Sequence, residues 1–166
     1  MFRVFFGHDF FGGDNRRMND YRRKVRRGCS AAAKVLKMPI EPLFGNSPLN
    51  ANLIDAIRGA HGNMRGISGN EFWARIDGLL RISHLGVFDL TLPGGSSDEI
   101  NWNVLMELGV ALGRGVPIRV IVRDRTAVVK RLTNLAGKQI EECRQPDNLG
   151  MLIKDLIAVF GKAGLP

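Results

Sequence analysis

Leu85–Leu90 and Ile118–Val122 are short, nearly continuous apolar runs. A strand with one wet face alternates apolar and polar residues; a strand covered on both faces does not. Such strands belong to parallel sheets, whose crossover helices shield both sides. The segments between them carry helical spacing. From Asn15 to about Leu36, residues Met18, Tyr21, Val25, Cys29, Ala32 and Leu36 recur at three- and four-residue steps and form one apolar stripe. Strands alternating with helices predict an α/β fold: a flavodoxin-like, doubly wound parallel sheet of about five strands with helices on both faces. A chain of 166 residues suits one domain, residues 1–166.

The remaining elements follow the same logic. Arg3–Phe6 predicts a first strand ending at Gly7, and Ile40–Phe44 a second. Pro42 interrupts the second strand, so an edge position suits it. Pro39 ends the helix before it. Asn50–Arg58 predicts a short helix, and the glycine-rich 59–69 stretch a loop. Glu71–Ser83 is helical, with Phe72, Ile76, Leu79 and Leu80 inward; Glu71 suits a helix N-terminus. Asn103–Gly113 is a helix stopped near Gly113 or Gly115. Ala127–Leu135 predicts a short helix and Lys138–Glu141 an edge strand. Leu149–Phe160 is a helix capped by Asp147 or Asn148.

Composition narrows the functional classes. Apolar residues make up 45% of the chain, which argues for a soluble globular protein. No run approaches the roughly 20 apolar residues of a membrane span. The start, Met1 to Gly13, lacks the pattern of a signal peptide. Cys29 and Cys143 form no CxxC pair, so a reducing cytoplasm fits and a disulfide framework does not. His8, His61 and His84 have no metal-ligand spacing, and neither GxGxxG nor a Gly-Lys-Ser/Thr phosphate loop is present. We therefore expect no metal and no tightly held cofactor. Net charge is +8, and seven positive charges fall between Arg16 and Arg27. That run reads first as the solvent face of an amphipathic helix. It also suits phosphate-bearing partners. Nucleic acid is a weaker expectation, because no recognised binding motif accompanies the charge.

In a doubly wound sheet, ligands bind beyond the carboxyl ends of the strands. Gly7-His8-Asp9-Phe10-Phe11 follows strand one, Asp89-Leu90-Thr91 closes the middle strand, and Asn101-Trp102-Asn103 leads into the next helix. That helix carries Glu107 within an otherwise apolar segment, Val104–Leu112. A buried carboxylate is costly unless compensated. The early turns of a helix offer partial compensation. The plain alternative is a glutamate that emerges at the helix edge or pairs with an arginine.

The run from His84 through Asp89-Leu-Thr91, then Asn101-Trp-Asn103-Val-Leu-Met-Glu107-Leu-Gly109-Val-Ala111, into Gly115-Val-Pro117, is similar to the nucleoside 2-deoxyribosyltransferase family. The opening Val4-Phe5-Phe6-Gly7 with Phe10-Phe11 resembles that family's first loop. Toll/interleukin-receptor domains that cleave NAD share the architecture and also use a glutamate. The resemblance implies that Glu107 is a nucleophile attacking an anomeric carbon. It implies that Asn101 and Asn103 orient Glu107 or hold sugar hydroxyls, and that Asp89 binds the sugar or assists proton transfer. Phe10, Phe11 and Trp102 would stack on the base, and His8 or Asp9 would protonate the leaving nitrogen. Gly7 and Thr91 would complete the substrate-binding set. Each residue also has a duller role: Asp89, Asn101 and Asn103 as caps, Phe10, Phe11 and Trp102 as packing, His8 as a surface group.

Two departures from the family string bear on the substrate. Trp102 stands where proline is usual, and the Leu92–Ile100 loop is longer than in many relatives. The arginine excess favours nucleotides, NAD or a cyclic nucleotide over free nucleosides. The expectation is N-glycosidic cleavage or transfer on a nucleoside or nucleotide. The alternatives are a TIR-like domain acting on NAD and a non-catalytic nucleotide-sensing or protein-interaction module. Relatives often complete their pocket with a neighbouring subunit, so a homo-oligomer is expected.

Overall fold

The computed structural model describes residues 1–8, 14–45, 55, 71–91, 100–131 and 140–163. Their elements run β1 (Phe2–Gly7), α1 (Asn15–Leu36), β2 (Ile40–Phe44), α2 (Glu71–Arg81) and β3 (Leu85–Asp89). Then come α3 (Trp102–Gly113), β4 (Ile118–Val122), α4 (Arg125–Arg131), β5 (Ile140–Glu142) and α5 (Leu149–Lys162). The strands form one sheet in the order β2-β1-β3-β4-β5, and every neighbouring pair is parallel. This is the expected flavodoxin-like, doubly wound architecture.

Alternation along β1 divides the core in two. Phe2, Val4 and Phe6 pack with Val25 and Cys29 of α1 and Ile153 and Ile157 of α5. Phe5 turns the other way, with Phe88 and Val120, to meet Leu79 and Leu80 of α2 and Val104 and Leu108 of α3. Side chains of this size stabilise by about 1.5–3 kcal/mol each when fully buried. The α1 and α5 backbones approach closely at two glycines. A Cβ on Gly28 would lie 2.5 Å from the Gly150 carbonyl oxygen, so no side chain fits there.

The edge position of β2 is as its Pro42 requires. Helix α1 opens on Asp14, whose Oδ1 accepts from the amides of Arg16 (2.9 Å) and Arg17 (3.1 Å). It ends at Lys37, in the left-handed region at φ 54°, two residues before Pro39. Gly115, at φ 69°, makes the turn from α3 into β4.

Three expectations shift. Helix α4 begins at Arg125, not Ala127, because the Val128 amide already bonds the Asp124 carbonyl. β5 runs on to Glu142 rather than stopping at Glu141, and the expected start, Lys138, lies outside the described residues. Neither Asp147 nor Asn148 caps α5 with its side chain; a 3-10 turn, Pro146–Asn148, runs straight into it. The segment 50–58 lies outside the described residues except Asp55, and 59–69 lies wholly outside them.

Candidate active site

In this strand order the chain moves outward in opposite directions from β1 and β3. Their carboxyl ends border the switch-point crevice. Helix α3 points its N-terminus to that edge. Asn101 caps it, its Oδ1 accepting from the amides of Asn103 (3.0 Å) and Val104 (3.2 Å). Val104, Glu107, Leu108 and Ala111 form the inward face of α3, so Glu107 occupies a position where spacing asks for an apolar residue.

The Glu107 carboxyl reaches across to the ends of β1 and β2. A Cβ on Gly7 would sit 2.7 Å from Glu107 Oε2 and 2.6 Å from Phe88 Cδ1. A Cβ on Gly45 would sit 3.8 Å from Glu107 Oε1 and 2.6 Å from Ile76 Cδ1. Both glycines leave room that the carboxyl fills. Glu107 is 4% exposed, and its Oε2 is buried without a hydrogen-bond partner. Burial alone pushes its pKa from 4.5 up to about 8. The edge and arginine-paired alternatives are therefore set aside: the carboxyl faces inward and takes no ion pair among the described residues.

Asn103 lies one helical turn before Glu107 on the same side of α3, and it is exposed. Asn101 is 4% exposed and already serves as the cap. Trp102 neither packs into the core nor stands over the carboxyl's burial site; it is 68% exposed, on the outer face with Met106.

Asp89 follows Val87, not Phe88, in the alternation of β3, and so faces α1 and α5. Glu107 and Asp89 thus approach the crevice from opposite faces of the sheet. Asp89 Oδ1 accepts from the Thr91 amide (3.1 Å) and hydroxyl (2.6 Å), which makes it a turn cap. It also lines a cavity of about 130 Å³ together with His8, Tyr21, Thr91, Arg123 and Cys143. Burial raises the Asp89 pKa; bonds from Thr91 and Tyr21 and the charge of Arg123 oppose the rise. Burial, then the charge of Asp89, lifts Tyr21 well above the usual phenol range. His8 is 6% exposed, its ring 4.5 Å from that of Tyr21, so it is a packed group rather than a surface one.

Tyr21, Arg123 and Cys143 escape the sequence reading. Tyr21 sits within the apolar stripe of α1 and reads as core. Arg123 carried a signal, since it is the first residue beyond β4 and ligands gather at that edge. Asp9, Phe10 and Phe11 lie outside the described residues, as does 92–99. The basic run is partly neutralised: Arg17 pairs with Asp14 (3.4 Å), and Lys24 with Asp20 (2.9 Å) and Asp147 (3.0 Å). Among the described residues, no three His, Cys, Asp or Glu side chains cluster to hold a metal, and no helix is long and apolar enough to cross a membrane. No family model, curated protein or solved structure matches the chain.

Proposed function

We propose that the protein cleaves or transfers at the N-glycosidic bond of a nucleoside or nucleotide, with Glu107 as nucleophile. One observation carries the reading. A carboxyl whose Oε2 is buried with no hydrogen-bond partner among the described residues occupies the inward face of α3, against the two glycines that end β1 and follow β2. That position is the glutamate of the Asn-x-Asn-Val-x-x-Glu string, and a chain under selection for stability alone would place an apolar residue there.

In the first step a Glu107 oxygen forms a bond to the anomeric carbon while the carbon–nitrogen bond breaks. The base leaves with the bonding electrons and takes a proton. As positive charge develops on the sugar, the nearby carboxylate is favoured. A glycosyl ester results, and water or a second base then attacks the same carbon and frees Glu107. Asp89, raised by burial, is a candidate proton donor, and Asn103, exposed one turn before Glu107, is a candidate partner for sugar hydroxyls. Attack needs Glu107 ionised, so release of base should rise with pH toward about 8. The test is to incubate the protein with nucleosides, nucleotides and NAD and assay free base. Equal release by wild type and Glu107→Gln refutes the role of Glu107.

A second reading, a nucleotide-binding module without turnover, draws on the same burial. With burial holding its pKa at about 8, Glu107 is mainly protonated at neutral pH. A nucleotide that raises the melting temperature and is never consumed would favour this reading.

A further inference from the structure

A helix that is apolar all round belongs in an interior; one at the surface ordinarily turns charged residues to water. α3 has 12 residues and a single charge, Glu107, which is buried. Its outer side carries none. At 3.6 residues per turn, Trp102, Met106, Gly109 and Gly113 fall within an arc of about 60°, directly opposite the buried Val104 and Ala111. Leu105 and Leu112 flank that line on one side and Val110 on the other, so about 160° of the helix surface has no polar side chain. Trp102 is 68% exposed and Met106 51%. The exposed apolar residues of α5 differ. Met151 and Val159 stand among charges, including Lys154 and Asp155, which pair at 2.9 Å. Apolar residues scattered in that way need no explanation, whereas a continuous apolar face marks a contact surface.

Charge and shape together say what covers it. Each chain carries a net +8, so two copies repel unless they meet where cations are absent. The outer face of α3 meets that condition, and Arg114, which follows the helix, is held by Asp77 at 2.6 Å. The shape is self-matching. An antiparallel copy, turned about a two-fold axis between positions 107 and 108, sets Trp102 against the partner subunit's Gly113. The same turn sets Met106 against the partner subunit's Gly109. Each large side chain then meets a residue that has none, in both directions at once, as an interface between identical surfaces requires. The chain's own packing does not call for these glycines, since a Cβ on Gly109 or Gly113 would meet nothing within 4 Å. Glycine is also the poorest residue after proline for a helix interior.

We propose that α3 is the contact surface of a homodimer, packed antiparallel on its own copy about a two-fold axis through its outer face. Glu107 faces the other way, so the interface is independent of the glycosyl chemistry. A helix of this length spans about 18 Å, and its contact is smaller than the roughly 800 Å² per partner of a standard interface. The dimer is therefore reversible, with dissociation in the micromolar range.

Sedimentation velocity of the full chain from about 1 to 100 µM tests it. Wild type should pass from monomer to dimer as concentration rises, and its tryptophan emission should move to the blue as Trp102 leaves water. Met106→Glu and Met106→Lys, each checked for intact fold by circular dichroism, should each weaken the dimer by about tenfold or more. Met151→Glu, an equally exposed change on α5, should not, and Glu107→Gln should dimerise like wild type. Near the two-fold axis position 106 lies close to its own copy, so an equimolar mixture of Met106→Glu and Met106→Lys should recover dimers. Alanine at Gly109 favours the helix of a separate chain, so it should raise the melting temperature of dilute protein and weaken the dimer. A wild type that stays monomeric throughout, or equal losses in Met106→Glu and Met151→Glu, overturns the proposal. A charge mixture that stays monomeric overturns the two-fold arrangement. A monomer whose binding to vesicles of anionic phospholipid is lost in Met106→Glu makes the face a membrane contact and overturns the dimer.

Discussion

Glu107→Gln keeps the shape of the side chain and removes its charge, so it isolates what burial costs the carboxylate. Holding the pKa at about 8 instead of 4.5 corresponds to about 5 kcal/mol against the ionised form, at about 1.4 kcal/mol per pH unit. The sign follows from proton counting. Below pH 4.5 both folded and unfolded chains carry the proton, and the penalty is absent. Between 4.5 and about 8 the folded state holds a proton that the unfolded state has lost, so stability falls as pH rises. Above about 8 both states are ionised and the full penalty stands. Glutamine does not titrate. The variant should therefore match wild type near pH 4.5 and gain stability over it by about 1.4 kcal/mol per pH unit, reaching on the order of 5 kcal/mol near pH 8. Against a typical total of about 5–15 kcal/mol this is a large effect. Asp89 titrates in both proteins and cancels in the comparison. Equilibrium unfolding in urea at pH 5, 6, 7 and 8 measures the difference. A gap that stays constant with pH, or a glutamine variant less stable at pH 8, refutes the reasoning.

The other predictions concern catalysis and packing. With Glu107 as nucleophile, kcat/KM for base release should climb with pH and level off near 8; a profile that falls through that value would make Glu107 an acid instead. Gly7→Ala should lower stability by about 1–3 kcal/mol and abolish release, because its Cβ collides with Phe88 and Glu107. Gly109→Ala, with nothing within 4 Å of the added carbon, should instead stabilise α3 by up to about 1 kcal/mol. Thermal melts of the two glycine variants decide both. Asn101→Ala should cost about 1 kcal/mol through the lost cap, and Asn101→Ser should restore most of it in the same unfolding assay.

Long, strongly periodic segments were legible in the sequence. Helix α1 has the bounds its stripe indicated, and β4 coincides with its apolar run, because burial on a fixed face dictates those residues. Short elements were less so. In α4 and β5 a few residues carry too little periodicity to mark an end, and α5 is entered through a 3-10 turn that its cap residues do not reveal. Glu107 was conspicuous because a charge stands where an apolar residue should. That Asp89 belongs to the opposite face was available from the alternation of β3, yet closeness in sequence suggested one common site. The cavity residues Tyr21, Arg123 and Cys143 come from α1, beyond β4 and beyond β5, and only the fold brings them together.

Intact-protein and peptide mass spectrometry after incubation with 2′-fluorinated nucleotides bears most directly on the role of Glu107. The fluorine slows breakdown of a glycosyl ester, so the intermediate should accumulate. One added glycosyl group on the peptide that contains Glu107, absent in Glu107→Gln, is the expected result. Release of base with Glu107 unmodified, or a label on a different side chain, would contradict it.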